Sequence, residues 1–519
     1  MMAHLPESPD LSHLKKQAKQ LLRAARAGEA AALLRFVEAL PAARGVALKD
    51  LAERDLLLSD AQSVIAREVG FRLWVELKRY VEWKQVDRAE RLKVWLEWVY
   101  EGGRRERRLA ARMVAEEPGF FAASDPWLAC AIGDVDGVRA EIARDAGWVN
   151  RKGGSLGMPP LVAVTHSRLV LEDGFEGRLV ECARILLAAG ADVNSRWLDP
   201  KWPDGEFSAL YGAAGRTHCV AMVRALLDAG ADTEDNESLY HSVETRESTV
   251  TRMLLDAGAR VVGTNAMGRV MDFSAPNKLE DLKRMLACGG DAREKPWVHH
   301  AILRGRSMAH VRVLVDAGAD LRAVNRDGVS LFRFAQMHGR ADVVDLLREA
   351  GVAEDLSLEE EFVGACARGD EARARELLGR ETGIFGRLTA KQMGVLPEMA
   401  EVGNMAAVRT MLAVGWPLEA KASWDATALN LAVYRGAAAM ARVLLEAGAD
   451  WRTLHGFKDN VVGALSHASL SGPEDVGAEH DFVGCARALV EHGVPLKAME
   501  DYTFSPEVEE YLAAVRLRG

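Results

Sequence analysis

The stretch TALNLAVYRGAAAMARVLLEAGAD, residues 427–450, decides how the rest of the chain is read. It begins as a short first helix, TALNLAV at 427–433, and meets a glycine-bearing break, YRGA at 434–437. A second helix follows and closes on LLEAGAD at 444–450. In that closing phrase a helix buries its paired leucines, then stops at a glycine able to take positive φ. The Ala-Asp that follows leads into a turn.

The closing phrase recurs down the chain, as LLAAGAD (186–192), LLDAGAD (226–232), LLDAGAR (254–260), MLACGGD (285–291) and LVDAGAD (314–320). Degenerate copies are REAGV ending at 352, MLAVGWP (411–417) and LVEHGVP (489–495). The glycines of these copies, from Gly190 through Gly230, Gly258, Gly289, Gly318, Gly351, Gly415 and Gly448 to Gly493, are spaced by 40, 28, 31, 29, 33, 64, 33 and 45 residues. If the longest gap covers two repeats, the array holds nine periods of about 34 residues. Starts of first helices lie after the stops, at PPLVAV (159–164), SALYGAA (208–214), ESLYHSV (237–243) and LFRFA (331–335), with breaks at RGRS (304–307) and HGRA (338–341).

On these residues the chain resembles an ankyrin-repeat protein over roughly 125–500, and the segment 427–450 is the nearest copy. The resemblance implies an all-α fold, a curved solenoid of helix-turn-helix repeats whose β-turn fingers and first helices line a concave face. The copies depart from the pattern at 351–415 and in the long fingers 165–178, 195–207 and 466–481. Segment 353–378 is similar to 125–145, each with a Gly-Asp turn, so the array reads either as two blocks with a seam near 352–358 or as one superhelix with an irregular joint. The expected division is a helical head at 1–118, a first repeat block at 119–352, a second at 353–500 and a C-terminal cap helix at 501–519.

Composition narrows the class. The 519 residues are 49% hydrophobic and 27% charged, enough for a packed water-soluble protein and incompatible with global disorder. The formal net charge of −10 argues against a main role in holding nucleic acid. The charge is uneven: residues 1–120 carry 22 Lys/Arg against 18 Asp/Glu, and the remainder 44 against 58. No basic region followed by an apolar run opens the sequence, and no uninterrupted apolar stretch is long enough to span a bilayer, so a cytoplasmic protein is expected. Six cysteines without a CxxC pair are expected to be reduced core residues.

In the head, residues 11–40 read as helical, with Pro41 ending the run. Residues 58–82 read as two helices joined at Gly70, with Phe71, Trp74 and Leu77 on one face. This region is similar to helical segments that precede ankyrin repeats in bacterial proteins. Two helices at a glycine also resemble a helix-turn-helix, in which Arg72, Lys78 and Arg79 could meet phosphate. Burial of Phe71, Trp74 and Leu77 instead favours a cap on the first repeat, and the RRERR run at 104–108 reads as a solvated face.

No phosphate loop, dinucleotide fingerprint, nucleophile elbow or metal-ligand spacing is present, and neither cofactor nor metal is expected. Chemistry would have to be assembled from residues that the superhelix brings together. One candidate is the column expected on the concave side of the first helices: Ala163, Gly212, His241, Asp272, His300 and Arg333, with His467 further on. Asp272 would then lie between two imidazoles, with Glu244 one turn from His241. That column is a polar recognition stripe, a general acid/base site, or ordinary solvent-facing variation with Tyr240 and His299 as the structural residues. The second candidate is the finger SRWLDPKWPDGEF (195–207), stiffened by Pro200 and Pro203, whose Trp197 and Trp202 either meet a partner or cover a neighbouring repeat. Trp424 and Trp451, beside Asp425 and Arg452, occupy equivalent finger positions.

The function expected from these features is a non-enzymatic scaffold holding a protein or peptide, of basic character given the acidic repeats, through the concave column and the finger tryptophans. The alternative is a small-molecule binder or acid/base enzyme using His241, Asp272 and His300. A deep pocket with perturbed histidines favours the alternative, and an open groove with exposed indoles favours the scaffold.

Overall fold

The computed structural model describes residues 5–6, 8–121, 125–199, 201–202, 205–472 and 477–518. Pro200 and Pro203 lie outside the described residues, as do parts of the N-terminal stretch and of the 466–481 finger. The expected all-α class holds. Among the described residues the only strand pair is Arg196–Leu198 with Glu206–Ser208, an antiparallel ladder inside one finger.

The repeated phrase folds as a double constraint at the end of each second helix. All nine phrase glycines have positive φ, from 69° at Gly351 to 96° at Gly289. In every copy the amide after the turn reaches back to the carbonyl of the buried Leu or Met five residues earlier: Ala191 to Leu186, Ala231 to Leu226, Ala449 to Leu444 and so on, at 2.9–3.0 Å. The same side chains, Leu186, Leu226, Leu254, Met285, Leu314, Leu347, Met411, Leu444 and Leu489, are fully buried. One residue thus anchors the core and supplies the acceptor that ends the helix.

The aspartate of the phrase begins the finger. Asp192, Asp232, Asp291, Asp320 and Asp450 each accept from the amide two residues on at 2.8–3.0 Å, which bends the backbone out of the helix axis. Successive fingers are then tied edge to edge. Asn150 Oδ1 accepts from the Asp192 amide at 2.7 Å, Asn194 Oδ1 from Asp232 at 2.8 Å, and Glu419 Oε1 from Asp450 at 2.9 Å.

The long interval between Gly351 and Gly415 holds two helix pairs, Leu358–Ala367 with Glu371–Arg380, and Val395–Glu401 with Met405–Ala413. The first of these ends at Glu381 with φ −146° rather than at a glycine, which is why its stop is invisible in the repeat alignment. In the head, the expected continuous run at 11–40 is two helices, Leu11–Arg26 and Ala30–Ala39, because Gly28 turns the chain at φ 79°. Cys288 is exposed while the other five thiols are buried, and all six are unpaired. No helix among the described residues is long and apolar enough to cross a membrane.

The chain forms two compact units. One comprises Leu92–Gly328 with Asp475–Ala478, and contains most of the helix Arg88–Tyr100, the helix Arg104–Glu116, and the helix pairs from Pro126–Ile132 through Met308–Asp316. Tyr100 Oη donates to the Ala163 carbonyl at 2.9 Å, and Arg107 pairs with Glu172 at 2.6 Å, so this part of the head is fastened to the repeats at 160–172.

The other unit comprises Met1–Arg91, Val329–Glu474 and Glu479–Gly519. Its core runs through Phe362, Leu396, Trp416, Leu429, Leu465, Leu489 and Phe504, with the Phe362 and Trp416 rings stacked at 6.0 Å. The C-terminal helix Pro506–Arg518 packs on Phe482–Glu491 and also meets the head. Arg516 donates to the buried Asp60 at 2.8 Å, Arg67 pairs with Glu510 at 2.7 Å, and Arg72 with Glu507 at 3.0 Å. Phe71 and Leu77 are buried and Trp74 half-buried, so the pair at 58–85 presents an apolar face to its own unit.

Two substitution contrasts follow from this packing. Gly448→Ala has open space for its methyl and only its φ of 94° to oppose it, so urea unfolding should show a loss of about 1 kcal/mol. Gly339→Ala should cost more, because its methyl would stand 2.4 Å from the Ala367 carbonyl. Arg516→Ala leaves Asp60 buried without its cation and should lose about 3 kcal/mol, whereas Arg72→Ala breaks an exposed pair and should stay within about 1 kcal/mol.

Candidate functional site

Regular first helices stop at a glycine of positive φ before the second helix begins, as at Gly133, Gly305, Gly339, Gly369, Gly403 and Gly436. Four consecutive first helices in the Leu92–Gly328 unit do not: Pro160–Thr165, Ala209–Tyr211, Ser238–Ser242 and Ala266–Met271. Their exits are made by other means, including a wide-turn helix at Gly212–Arg216 and a left-handed His218 at φ 50°. Those exits carry Arg168, Arg216, His218, Glu244 and Asp272. A cleft of about 660 Å³ opens beside them, bordered by Trp202, Phe207, Tyr211, Arg216, His241 and Glu244.

The cleft has an aromatic wall and a charged one. Phe207 on the finger strand stacks on Tyr211 at 4.9 Å, and Tyr211 lies 5.4 Å from the His241 ring. Arg216 is tied down by the Tyr100 carbonyl and by Glu101 at 2.8 Å. From His241 a chain of ion pairs runs along the first helices. Glu244 Oε1 accepts from His241 Nδ1 at 2.9 Å and from Arg269 Nη2 at 2.8 Å. Arg269 Nη1 donates to Asp272 Oδ2 at 3.1 Å, and His300 Nε2 to Asp272 Oδ1 at 3.0 Å, with Arg304 Nε 2.9 Å from the same oxygen.

These surroundings drive the two cleft histidines apart. Burial alone would lower the pKa of His241, but Glu237 and Glu244 on either side of the ring outweigh it and raise the value to about 9. At His218 burial prevails over the opposing Glu244 charge and the Ala214 backbone, and the value falls to about 4. Asp272 is held at about 2, where burial is overcome by His300, Arg304 and Arg269.

The unit containing Val329–Glu474 has its own cleft, of about 480 Å³, between the fingers at 421–427 and 454–459. Trp424, Tyr434, His455, Phe457, Asp459 and His467 face it. Trp424 is 48% exposed and Phe457 75%.

The residues picked from sequence are therefore distributed unequally. His241 and Trp202 border the first cleft, and Trp202 is 63% exposed. Asp272 touches His300 but reaches His241 only through Arg269 and Glu244, so it does not stand between two imidazoles. Arg333 belongs to the other unit, where Glu354 and Glu360 hold it at 2.7 and 2.6 Å. Trp197 is 3% exposed, donates to the Leu156 carbonyl at 2.8 Å, and is unavailable to a partner. Trp424 and His467 border the second cleft. Trp451 is half-buried against the core, with the Arg452 guanidinium 4.6 Å over its ring. Ala163 is buried, and at Gly212 a methyl would strike the His166 ring.

Sequence reasoning passed over Arg216 and His218 in the first cleft, Arg269 in the ion-pair chain that leads from it, and Tyr434, His455, Phe457 and Asp459 in the second. A signal existed for each group: no glycine at the position that Gly436 holds in 427–450, and a phenylalanine placed in the polar finger HGFKDN (455–460).

No family model and no curated protein matches the chain. Among solved structures it is similar to the ankyrin repeat domain of Bcl-3, at 22% identity, covering 44% of this chain and 99% of that one with a TM-score of 0.34. It is also similar to the human ASB11 ankyrin repeat domain, at 20% identity, 45% and 100% coverage and a TM-score of 0.32. An ankyrin repeat domain from Acinetobacter baumannii AYE is 20% identical, with 46% and 98% coverage and a TM-score of 0.26.

The electrostatics predict opposite pH windows. His241 contributes stability in full below its ordinary value of 6.5 and loses it as the pH rises through about 9. His218 contributes in full above 6.5 and loses it as the pH falls through about 4. Ring-proton NMR titration should show these two midpoints, and Glu244→Gln should bring that of His241 down by about one pH unit.

Proposed function

We propose that this array of ankyrin-type repeats is a non-catalytic scaffold that holds a protein or peptide segment against its first helices and finger loops. The observation that supports it most is that each unit contains an aromatic-walled cleft rimmed by a finger tryptophan standing in solvent, Trp202 in one and Trp424 in the other. An exposed indole beside a concave wall is the arrangement that anchors interfaces. Fold stability does not require it, since the buried Trp197 of the same finger already packs that region. The acidic repeats favour a basic partner. Six unpaired thiols accord with a reducing, cytoplasmic setting.

The acid/base alternative finds little support in its own residues. Asp272 is saturated by Arg269, His300 and Arg304, and His241 stays protonated between two carboxylates, so neither offers a proton equilibrium near neutrality. Small-molecule binding keeps one point in its favour, which is that both clefts have volumes typical of ligand pockets. Nucleic acid binding by the head is disfavoured because Arg67 and Arg72 are engaged by Glu510 and Glu507.

The test is photo-crosslinking from a residue beside each cleft, in a lysate, with mass spectrometric identification of the attached peptides. Trp202→Ala or Trp424→Ala should weaken capture by about tenfold or more, with circular dichroism unchanged. Recovery of a small molecule released by His241→Ala/His300→Ala, with no peptide captured, would replace the scaffold by the alternative.

A further inference from the structure

We propose that the cleft between fingers 421–427 and 454–459 receives the alkylammonium head of a lysine side chain from the partner segment. This deepens the scaffold reading and rests on it.

The cleft is lined by the rings of Trp424, Tyr434 and Phe457, by the imidazoles of His455 and His467, and by one carboxylate, Asp459; no lysine or arginine is among its lining residues. Trp424 and Tyr434 meet nearly at right angles, 77°, with centroids 5.6 Å apart, which makes an aromatic corner. His467 lies parallel to Tyr434 at 6.2 Å, and His455 meets Phe457 at 70° and 5.8 Å on the opposite jaw. Burial lowers the pKa of His455, leaving that imidazole uncharged at neutrality. Lys421, in the finger that carries Trp424, is tied to Asp425 at 2.8 Å and to the Leu454 carbonyl at 3.0 Å.

The backbone is arranged to present these rings. Trp424, Asp425 and Lys458 have φ of 58°, 53° and 61°, a left-handed conformation that aspartate tolerates but that is unfavourable for tryptophan and lysine. Burial repays that strain only in part, because about half of Trp424 remains in solvent, and Phe457 beside Lys458 is more exposed still. The two fingers are joined where Gly456 N donates to the Trp424 carbonyl at 2.7 Å, and a methyl at position 456 would stand 2.7 Å from that same oxygen. Gly463 gives Asp459 its place: a methyl there would fall 1.9 Å from Oδ2. Asp459 Oδ1 accepts from Tyr502 Oη at 2.6 Å and from the Asn460 amide at 2.8 Å.

This combination selects charge as well as shape. Aromatic faces attract a cation placed over them, and an ammonium group can also meet the carboxylate. An uncharged apolar occupant would instead strip water from Asp459 and return nothing to it. A lysine side chain adds a flexible apolar stem that the rings can cover while its head reaches Asp459.

The full chain can be tested with choline as the ammonium probe and 3,3-dimethyl-1-butanol as its uncharged counterpart, both titrated by ligand-observed NMR. Choline should bind saturably and at least tenfold more tightly than the alcohol, and N-acetyl-lysine amide should displace it. Trp424→Ala and Phe457→Ala should each weaken choline at least fivefold, and Leu34→Ala, in the head, should leave it unchanged; thermal unfolding checks each variant. Equal binding of the alcohol, no saturable choline binding, or indifference to both ring substitutions overturns the cation assignment. Choline binding that lysine amide cannot displace overturns the lysine assignment in favour of a free ammonium compound. Either failure, with photo-crosslinked peptides still captured at the clefts, leaves the scaffold standing, whereas loss of that capture removes the scaffold itself.

Discussion

Everything in the repeats depends on one hydrogen bond made many times, from the amide beyond an αL glycine to the carbonyl of a buried leucine or methionine. The final carbonyls of a helix have no partner within it, and in a close-packed array they would otherwise meet apolar side chains. Because the acceptor residue is also the one sunk deepest in the core, side-chain packing and chain reversal cannot slip relative to each other. The fingers therefore emerge at the same height in successive repeats. That regularity lets Asn150 and Asn194 each reach the next finger's aspartate amide.

Interest lies where this regularity lapses. The first helices from Pro160 to Met271 do not end on a left-handed glycine, and their exits are held by polar side chains that reach the 101–102 turn or the next repeat. A glycine turn would have supplied those contacts from backbone alone and left no charged wall. At 421–459 the lapse is different: the helices are regular and the fingers carry left-handed Trp424, Asp425 and Lys458.

The repeat array was legible because its determinant is local. Leu444, Gly448 and Asp450 lie within a single phrase, and a period of such phrases specifies a helix pair, its stop and its turn. The clefts were legible only in part. Trp202 and Trp424 stand out as costly residues in loops, but Trp197 sits two positions into the same finger and points inward, which alternation along the short strand Arg196–Leu198 decides. His241 and Asp272 were visible as polar residues at repeat spacing. Their true connection runs through Arg269, whose reach across repeats depends on rotamer and twist rather than spacing. The basic surplus of the head was likewise ambiguous, since Arg67 and Arg72 are answered by carboxylates more than 400 positions away in sequence.

The pairing of Asp60 with Arg516, 456 residues apart, also orders events during synthesis. At roughly 5–20 residues per second, the head leaves the ribosome tens of seconds before its C-terminal helix exists. The repeats of Leu92–Gly328 can collapse on neighbours made moments earlier, since nearly the whole of that unit is one continuous stretch of chain. The head is thus made long before its packing is completed, and its apolar faces wait uncovered until the C-terminal helix is made. Nascent-chain chaperones would meet this protein at its head.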